Sequence, residues 1–274
     1  MELRQRALRA LCEADPRAKA ALARELFADA PQLPLSLQAP GPTHPVPGRP
    51  TLPRLVHPAR VPHRSPATVE GLAALLHAIA HIEFNAINLA LDAAWRFEGM
   101  PAEFHLDWLR VAAEEAFHFT LLADHLASLG HAYGDFDAHD GLWSMCEKTA
   151  DDVTARMALV PRTLEARGLD ATPRIQAKLR QAGTPAALRA VEILDVILRD
   201  EVGHVAIGNH WYRWLCGRDR LEPVPHYRVL ARRYAAPKVL PPFNEEARRR
   251  AGFSDEEMAM FRDDARGAPP PPSE

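Results

Sequence analysis

The sequence predicts an all-α protein built around a four-helix bundle, and three observations support this prediction. Four long segments of the 274-residue chain repeat apolar residues every three or four positions. Glycine and proline punctuate the chain between these segments. Two segments carry the motif Glu-x-x-His, at Glu115–His118 and at Glu201–His204. Because residues three apart share a helical face, each motif can direct a carboxylate and an imidazole at one point.

The composition favours a folded domain without bulk attraction to polyanions. Hydrophobic residues make up 47% of the chain, enough for a sizeable core, and the formal net charge is −3. No global basic field therefore recruits nucleic acid or an anionic membrane. The three cysteines, Cys12, Cys146 and Cys216, match no zinc or disulfide spacing, so we expect a reducing, cytoplasmic location. We find no run of about 18 uncharged apolar residues and expect no membrane association.

Residues 1–64 are predicted to form an N-terminal helical region followed by a proline-rich strap. Residues 2–28 read as one or two short amphipathic helices, broken near Asp15-Pro16. The spacing of the prolines excludes a helix from residues 31–66. Such composition is typical of a linker or of disorder, but its apolar residues favour an extended strap on the bundle surface.

Residues 65–217 are predicted to form the bundle. The first helix begins at Ser65-Pro66 or Thr68, because these residues are typical helix starts. The third contains Pro161, which should kink it, and should end at Gly168 or Pro173. The four predicted helices cover approximately residues 68–97, 102–129, 142–167 and 184–217.

Residues 218–274 are predicted to form a C-terminal extension that packs on the bundle. A short helix is expected over residues 244–251, and another should begin at Ser254, where Ser-x-x-Glu forms a capping box. We expect the final residues, 267–274, to be disordered.

Six side chains are predicted to hold two metal ions. Each lies within the apolar stripe of a predicted helix, where an isolated charge costs several kcal/mol unless it has a partner or a metal. A bundle that holds two metals takes one Glu from each of two helices and Glu-x-x-His from each of the other two. The predicted ligands are Glu83, Glu115, His118, Glu165, Glu201 and His204. Ordinary buried salt bridges are the alternative interpretation.

The identity of the fourth carboxylate ligand remains open among the acidic residues of the third predicted helix. The candidates are Glu147, Asp151, Asp152 and Glu165. We choose Glu165 because it precedes Glu201 by 36 residues (201 − 165), close to the 32 between Glu83 and Glu115 (115 − 83).

Carboxylates and neutral imidazoles suit iron, with manganese as the alternative. Other side chains should hold the imidazoles, and the candidates are Asn88, Asp195 and Asp200. Tyr212 lies eleven residues after Glu201, at nearly the same angle around the helix. It is therefore a candidate catalytic side chain that walls the site, although the pattern favours a core tyrosine over this role.

The residues that carry these patterns resemble the ferritin-like superfamily. More narrowly, HIEFNAINLALDA, EEAFHFTLL, RMALVPRTLEARGLDATP and RDEVGHVAIGNHWY are similar to the bacterial family known as domain of unknown function 455. The resemblance covers roughly residues 45–255. It implies a ferritin-like bundle and carries over the ligand pattern at the positions named above, most loosely at Glu165. It implies no particular activity. The proline-rich strap is absent from generic ferritins.

Four functions follow from these patterns. The first is an oxidoreductase or hydroxylase that activates O₂ or peroxide on a small-molecule substrate and uses an external electron donor. The second is a metal-binding or iron-handling protein without substrate oxidation. The third is a tRNA-modifying hydroxylase with a basic rim, formed by Arg49, Arg54, Arg60, Arg64 and residues 228–238. The fourth is a helical interaction module without metal. We expect a monomer or a homodimer.

Overall fold

The computed structural model describes residues 1–62 and 64–266, and within this range the protein is all-α, as predicted. The described residues contain no strand, only an isolated bridge between Leu55 and Ala138. The predicted disordered end, residues 267–274, lies outside this range. The helices are α1 (Leu3–Cys12), α2 (Pro16–Asp29), α3 (Val69–Arg96), α4 (Ala102–Ser128), α5 (Gly141–Lys148), α6 (Val153–Leu159), α7 (Ala166–Ala182), α8 (Pro185–Asp219), α9 (Pro223–Arg233), α10 (Glu245–Arg250) and α11 (Asp255–Arg266).

The chain divides into two compact units. Unit 1 comprises residues 1–144 and 176–197. Unit 2 comprises residues 145–175 and the described residues from 198 onward.

In unit 1, α3 and α4 form an antiparallel pair. The Thr68 hydroxyl accepts a hydrogen bond from the Gly71 N–H (3.1 Å) and caps α3. Gly130, at φ +79°, follows the end of α4 and supplies the left-handed conformation that commonly ends a helix. The Phe84 and Phe119 rings pack 5.8 Å apart across the pair. This pairing brings the apolar stripes of the two helices together.

Helix α3 is long and apolar enough to cross a membrane by length and composition, the one such helix among the residues described. However, 78% of its most apolar window is buried inside the protein. This degree of burial is typical of a helix in a protein core.

The N-terminal helices and the segment that follows them pack on α3. Buried Arg4 donates from Nε to the carbonyl of Trp95 (2.7 Å) and from Nη1 to that of Leu37 (2.9 Å). A Cβ on Gly48 would lie 2.1 Å from the Cys12 carbonyl oxygen, so glycine permits this close approach of the backbone. Residues 33–57 thus run without helix along the surface of unit 1.

In unit 2, the C-terminal helices are fixed by buried polar contacts. The Thr163 and Tyr227 hydroxyls lie 3.0 Å apart, which joins α9 to the segment after α6. Wholly buried Arg248 donates to Asp170 (2.6 Å). These contacts join α9 to the segment after α6 and α10 to the start of α7.

The prediction for the third bundle helix was wrong in its bounds. Residues 142–167 are not one helix but α5, α6 and the start of α7, with a π-helical segment, Val160–Glu165, between α6 and α7. Pro161 has no N–H to donate, which explains a wide turn there. The predicted end at Gly168 is also wrong, because α7 continues through Pro173 to Ala182. A buried stripe continues past Gly168 and favours helix; its members are Leu169, Thr172, Gln176 and Leu179.

Candidate metal centre

The predicted ligands of unit 1 come together in the interior of the α3–α4 pair. His118 Nδ1 lies 3.2 Å from Glu83 Oε2 and 3.3 Å from Glu115 Oε2. The exposed fractions are 4% for Glu83 and 0% for the other two. Glu115 and His118 occupy one face of α4 because they are three residues apart. Glu83 reaches them from α3 because the two helices are antiparallel.

This group of three has the spacing of metal ligands. Each offers one ligand atom, and these atoms lie within 4.8 Å of one another. Neighbouring ligands about 2.1 Å from an octahedral ion lie about 3 Å apart. The 3.2 and 3.3 Å separations around His118 are close to this value. The group can therefore hold a metal ion without large rearrangement.

The electrostatics of the group also favour a cation. Burial, and then the negative charge of Glu115, raise the pKa of Glu83 well above the ordinary value for glutamate. Two carboxylates that share an apolar interior repel each other, so one of them resists ionisation. A metal ion would compensate both charges.

The second motif is buried in unit 2. His204 is wholly buried, and its Nδ1 lies 3.6 Å from Glu201 Oε1. Glu201 is 9% exposed, and its Oε2 makes no hydrogen bond within the described part of the chain. The two side chains lie one turn apart on α8, as their spacing predicts.

Among the four carboxylate candidates in the third segment, only Glu165 is buried. Glu147 and Asp151 are exposed. Asp152 caps α6 by accepting from the Ala155 N–H (2.8 Å). Glu165 is 8% exposed and ends the π-helical segment. Such segments are frequent at functional sites, and Glu165 as the fourth carboxylate ligand stays a prediction.

The side chains predicted to hold the imidazoles contact other groups. The Asn88 side-chain oxygen accepts from Lys19 Nζ. Asp195 accepts from Gln176 (2.7 Å), and Asp200 pairs with Arg199 (2.8 Å).

Tyr212 is wholly buried on α8, and its hydroxyl donates to the carbonyl of Pro223 (2.7 Å). Burial raises the pKa of its phenol. The Arg162 guanidinium stacks 4.8 Å from the centre of its ring. These contacts anchor α8 within unit 2, and the catalytic role of Tyr212 stays a prediction.

A comparison with known families identifies the chain's relatives. The family described as protein of unknown function (DUF455) matches residues 12–259. The chain belongs to this family. An uncharacterized protein of Haemophilus influenzae (strain ATCC 51907 / DSM 11121 / KW20 / Rd) is 54% identical over 216 residues, which cover 76% of this chain and 74% of the relative. No solved structure matches the chain.

The family match confirms the narrower resemblance noted in the sequence, and it includes all six predicted ligands and Tyr212. Placement in the ferritin-like superfamily stays a prediction.

Sequence reasoning missed Arg162, which lies three residues before Glu165 and is wholly buried. It donates from Nε to Asn209 (2.8 Å) and pairs with Glu257. The signal was available: Arg162 directly follows the uncharged apolar run from Met157 to Pro161. Arg162 fixes the π-helical segment and so positions the backbone that carries Glu165.

Proposed function

We propose that this protein is a di-metal carboxylate protein that activates O₂ or peroxide to oxidise or hydroxylate a small-molecule substrate. The observation that carries the proposal is the buried group of Glu83, Glu115 and His118, whose ligand atoms have metal-like spacing. The repeat of the same motif at Glu201 and His204 supports a second ion.

Six side chains form the proposed centre. Four of them are carboxylates, and their charges balance two divalent ions. Glu83, Glu115, Glu165, Glu201, His118 and His204 would hold the ions. The donor set suits iron, with manganese as the alternative.

The chain's own residues hold and shield this centre. When bound, two redox-active ions would supply the capacity to pass electrons from an external donor to O₂ or peroxide. The helices fix the carboxylates and imidazoles in place. Phe84 and Phe119 are buried neighbours in sequence of Glu83 and His118, and their rings help to exclude water from the interior of unit 1.

The proposal includes an external electron donor and a cytoplasmic location. Among the residues that the structure describes, none of the three cysteines forms a disulfide, which is compatible with a reducing compartment. We expect a monomer or a homodimer.

The tRNA alternative gains little support from the charged side chains. Arg49 pairs with Asp140, and Arg54 pairs with Asp137. Arg64 lies 3.5 Å from Glu70. Ion pairs of this kind reduce the positive charge that a basic rim needs. We therefore favour a small-molecule substrate.

The test is O₂ consumption by the chemically reduced, iron-loaded protein in an oxygen electrode. The proposal predicts rapid consumption by the wild-type chain and loss in His118→Ala and His204→Ala. Glu114→Gln, next to a proposed ligand, is the matched control and should keep the activity. Iron binding without O₂ consumption would support the iron-handling alternative instead. Equal O₂ consumption by the wild-type chain and both histidine variants would contradict the assignment of His118 and His204 as ligands.

A further inference from the structure

A surface pocket of about 400 Å³ lies in unit 2, between residues 206–214 of α8 and the turn after α10. This volume suits a small organic ligand. None of the described residues that line it is acidic. The side chains that can contact a ligand are those of Asn209, His210, Arg213, Trp214 and Arg250.

The pocket carries excess positive charge. Glu257 is shared by two guanidinium groups, because Arg213 Nη2 lies 2.7 Å from its Oε2 and Arg162 pairs with its Oε1. One carboxylate compensates only one of these two charges. Arg250 is exposed and makes no ion pair with any residue that the structure describes. The wall of the pocket therefore favours an anion.

The backbone groups nearby do not oppose an anion. Carbonyl oxygens at a helix end would repel it, but here they are already hydrogen-bonded. The Ala251 carbonyl accepts from Asn209 Nδ2 (2.7 Å), and the Gly252 carbonyl accepts from Arg213 Nη2 (2.5 Å). Gly252 has φ +89°, and a Cβ there would lie 3.6 Å from Arg213 Nη1. A side chain at this position would therefore contact the Arg213 guanidinium.

Trp214 supplies an apolar wall. Its indole is partly exposed and packs against Trp211, with the rings 5.6 Å apart, and the Arg218 guanidinium lies 5.6 Å from the centre of the Trp214 ring. We propose that the pocket binds an organic anion, in which a carboxylate or phosphate is joined to a flat ring. Arg213 and Arg250 bind the anionic group, and Trp214 stacks on the ring.

This site is separate from the proposed metal ligands of unit 2. His210 follows Glu201 by nine residues (210 − 201), so at about 100° per residue it lies half a rotation away on α8. A ligand in the pocket therefore occupies the opposite face of the helix from Glu201. Its binding does not depend on the proposed function.

The test is calorimetric titration of the full chain with phenyl phosphate and benzoate, with benzyl alcohol as the neutral probe. At least one of the two anions should bind saturably, and benzyl alcohol should not bind. Arg250→Gln should weaken binding roughly tenfold, because a charge-assisted hydrogen bond is lost. Arg249→Gln is the matched control: Arg249 is exposed, pairs with Glu245 and Asp255, and does not line the pocket.

Three outcomes would overturn the proposal. The first is the absence of saturable binding by either anion. The second is an equal effect, or none, in the two arginine variants. The third is binding of inorganic phosphate as tight as that of the tighter ring-bearing anion, which would remove Trp214 from the site. Circular dichroism of both variants verifies that each is folded.

Discussion

His118 Nδ1 lies 3.2 Å from Glu83 Oε2, although 35 residues separate them in the sequence. The contact exists only because α3 and α4 pack as an antiparallel pair, so the site in unit 1 forms together with the fold. It is also the point at which two carboxylates and an imidazole meet with almost no water-exposed surface. This arrangement makes metal binding testable one ligand at a time.

His118→Ala should lower the metal content of the purified protein by about one ion per chain or more, because each ion uses one histidine in such centres. Glu114→Gln should retain the wild-type content, since this residue precedes Glu115 and faces another direction. Elemental analysis of both variants, purified without chelator, provides the measurement. Equal metal content in His118→Ala and wild type would exclude His118 as a ligand.

Gly208→Ala should destabilise the protein by about 1–3 kcal/mol through overpacking. A Cβ at this position would lie 2.6 Å from Cβ and Cγ of Pro161, where α8 meets the π-helical segment. Gly203→Ala is the matched control on the same helix, because its Cβ would have no neighbour within 4 Å. It should stabilise by up to about 1 kcal/mol, the helix propensity difference. Urea unfolding measures the stability of both variants. Equal changes in the free energy of unfolding would contradict the close approach of Gly208 to Pro161.

Glu257→Ala should destabilise the protein by about 3–5 kcal/mol, because it leaves the wholly buried Arg162 without its carboxylate. Glu257 also caps α11 by accepting from the Ser254 N–H (2.7 Å). The neighbouring Glu256→Ala removes an exposed carboxylate and should change little. The midpoints of guanidinium-induced unfolding compare the stabilities of the two variants with that of the wild-type chain. Similar midpoints for the two variants would show that the buried pair contributes nothing.

Stability should rise between about pH 7 and pH 9 because of Lys19. Burial, and then the positive charge of Arg49, lower the pKa of Lys19 to about 7, while Cys12 and Glu13 oppose this shift. Above pH 7 the folded state holds Lys19 neutral, but the unfolded state still binds its proton until about pH 10.4. The unfolded state therefore binds more protons in this interval, and the free energy of unfolding increases with pH.

Lys19→Met removes this titration and should flatten the pH dependence. Thermal unfolding at pH 7, 8 and 9 measures the slope for both proteins. The variant also loses the hydrogen bond from Lys19 to the Gly48 carbonyl (2.8 Å), which lowers stability at every pH but does not create a slope. An unchanged slope in Lys19→Met would assign the pH dependence to another group.

Much of the fold follows from local signals in the sequence. The apolar periodicity predicts α3, α4 and α8 nearly to their ends, because each is bounded by residues that cap or break a helix, such as Thr68 and Gly130. The third segment could not be predicted in this way. Its π-helical turn and the passage of α7 through Pro173 depend on tertiary packing, since an interior proline costs about 3 kcal/mol that local sequence cannot offset.

The candidate site, too, could be predicted only in part from local sequence signals. The spacing of Glu115 and His118, and the apolar stripe around Glu83, indicate burial on single helices. Arg162 is different: its carboxylate partner, Glu257, is 95 residues away. No local pattern joins residues at that distance, so the sequence does not predict which carboxylate compensates a buried arginine.

The most direct test of the central claim is the metal content of the full chain after anaerobic loading with ferrous iron and removal of the excess. The account predicts about two iron ions per chain in wild type and a large loss in the double variant His118→Ala/His204→Ala. A wild-type chain that retains no iron or manganese, or a double variant that retains as much as wild type, would contradict it.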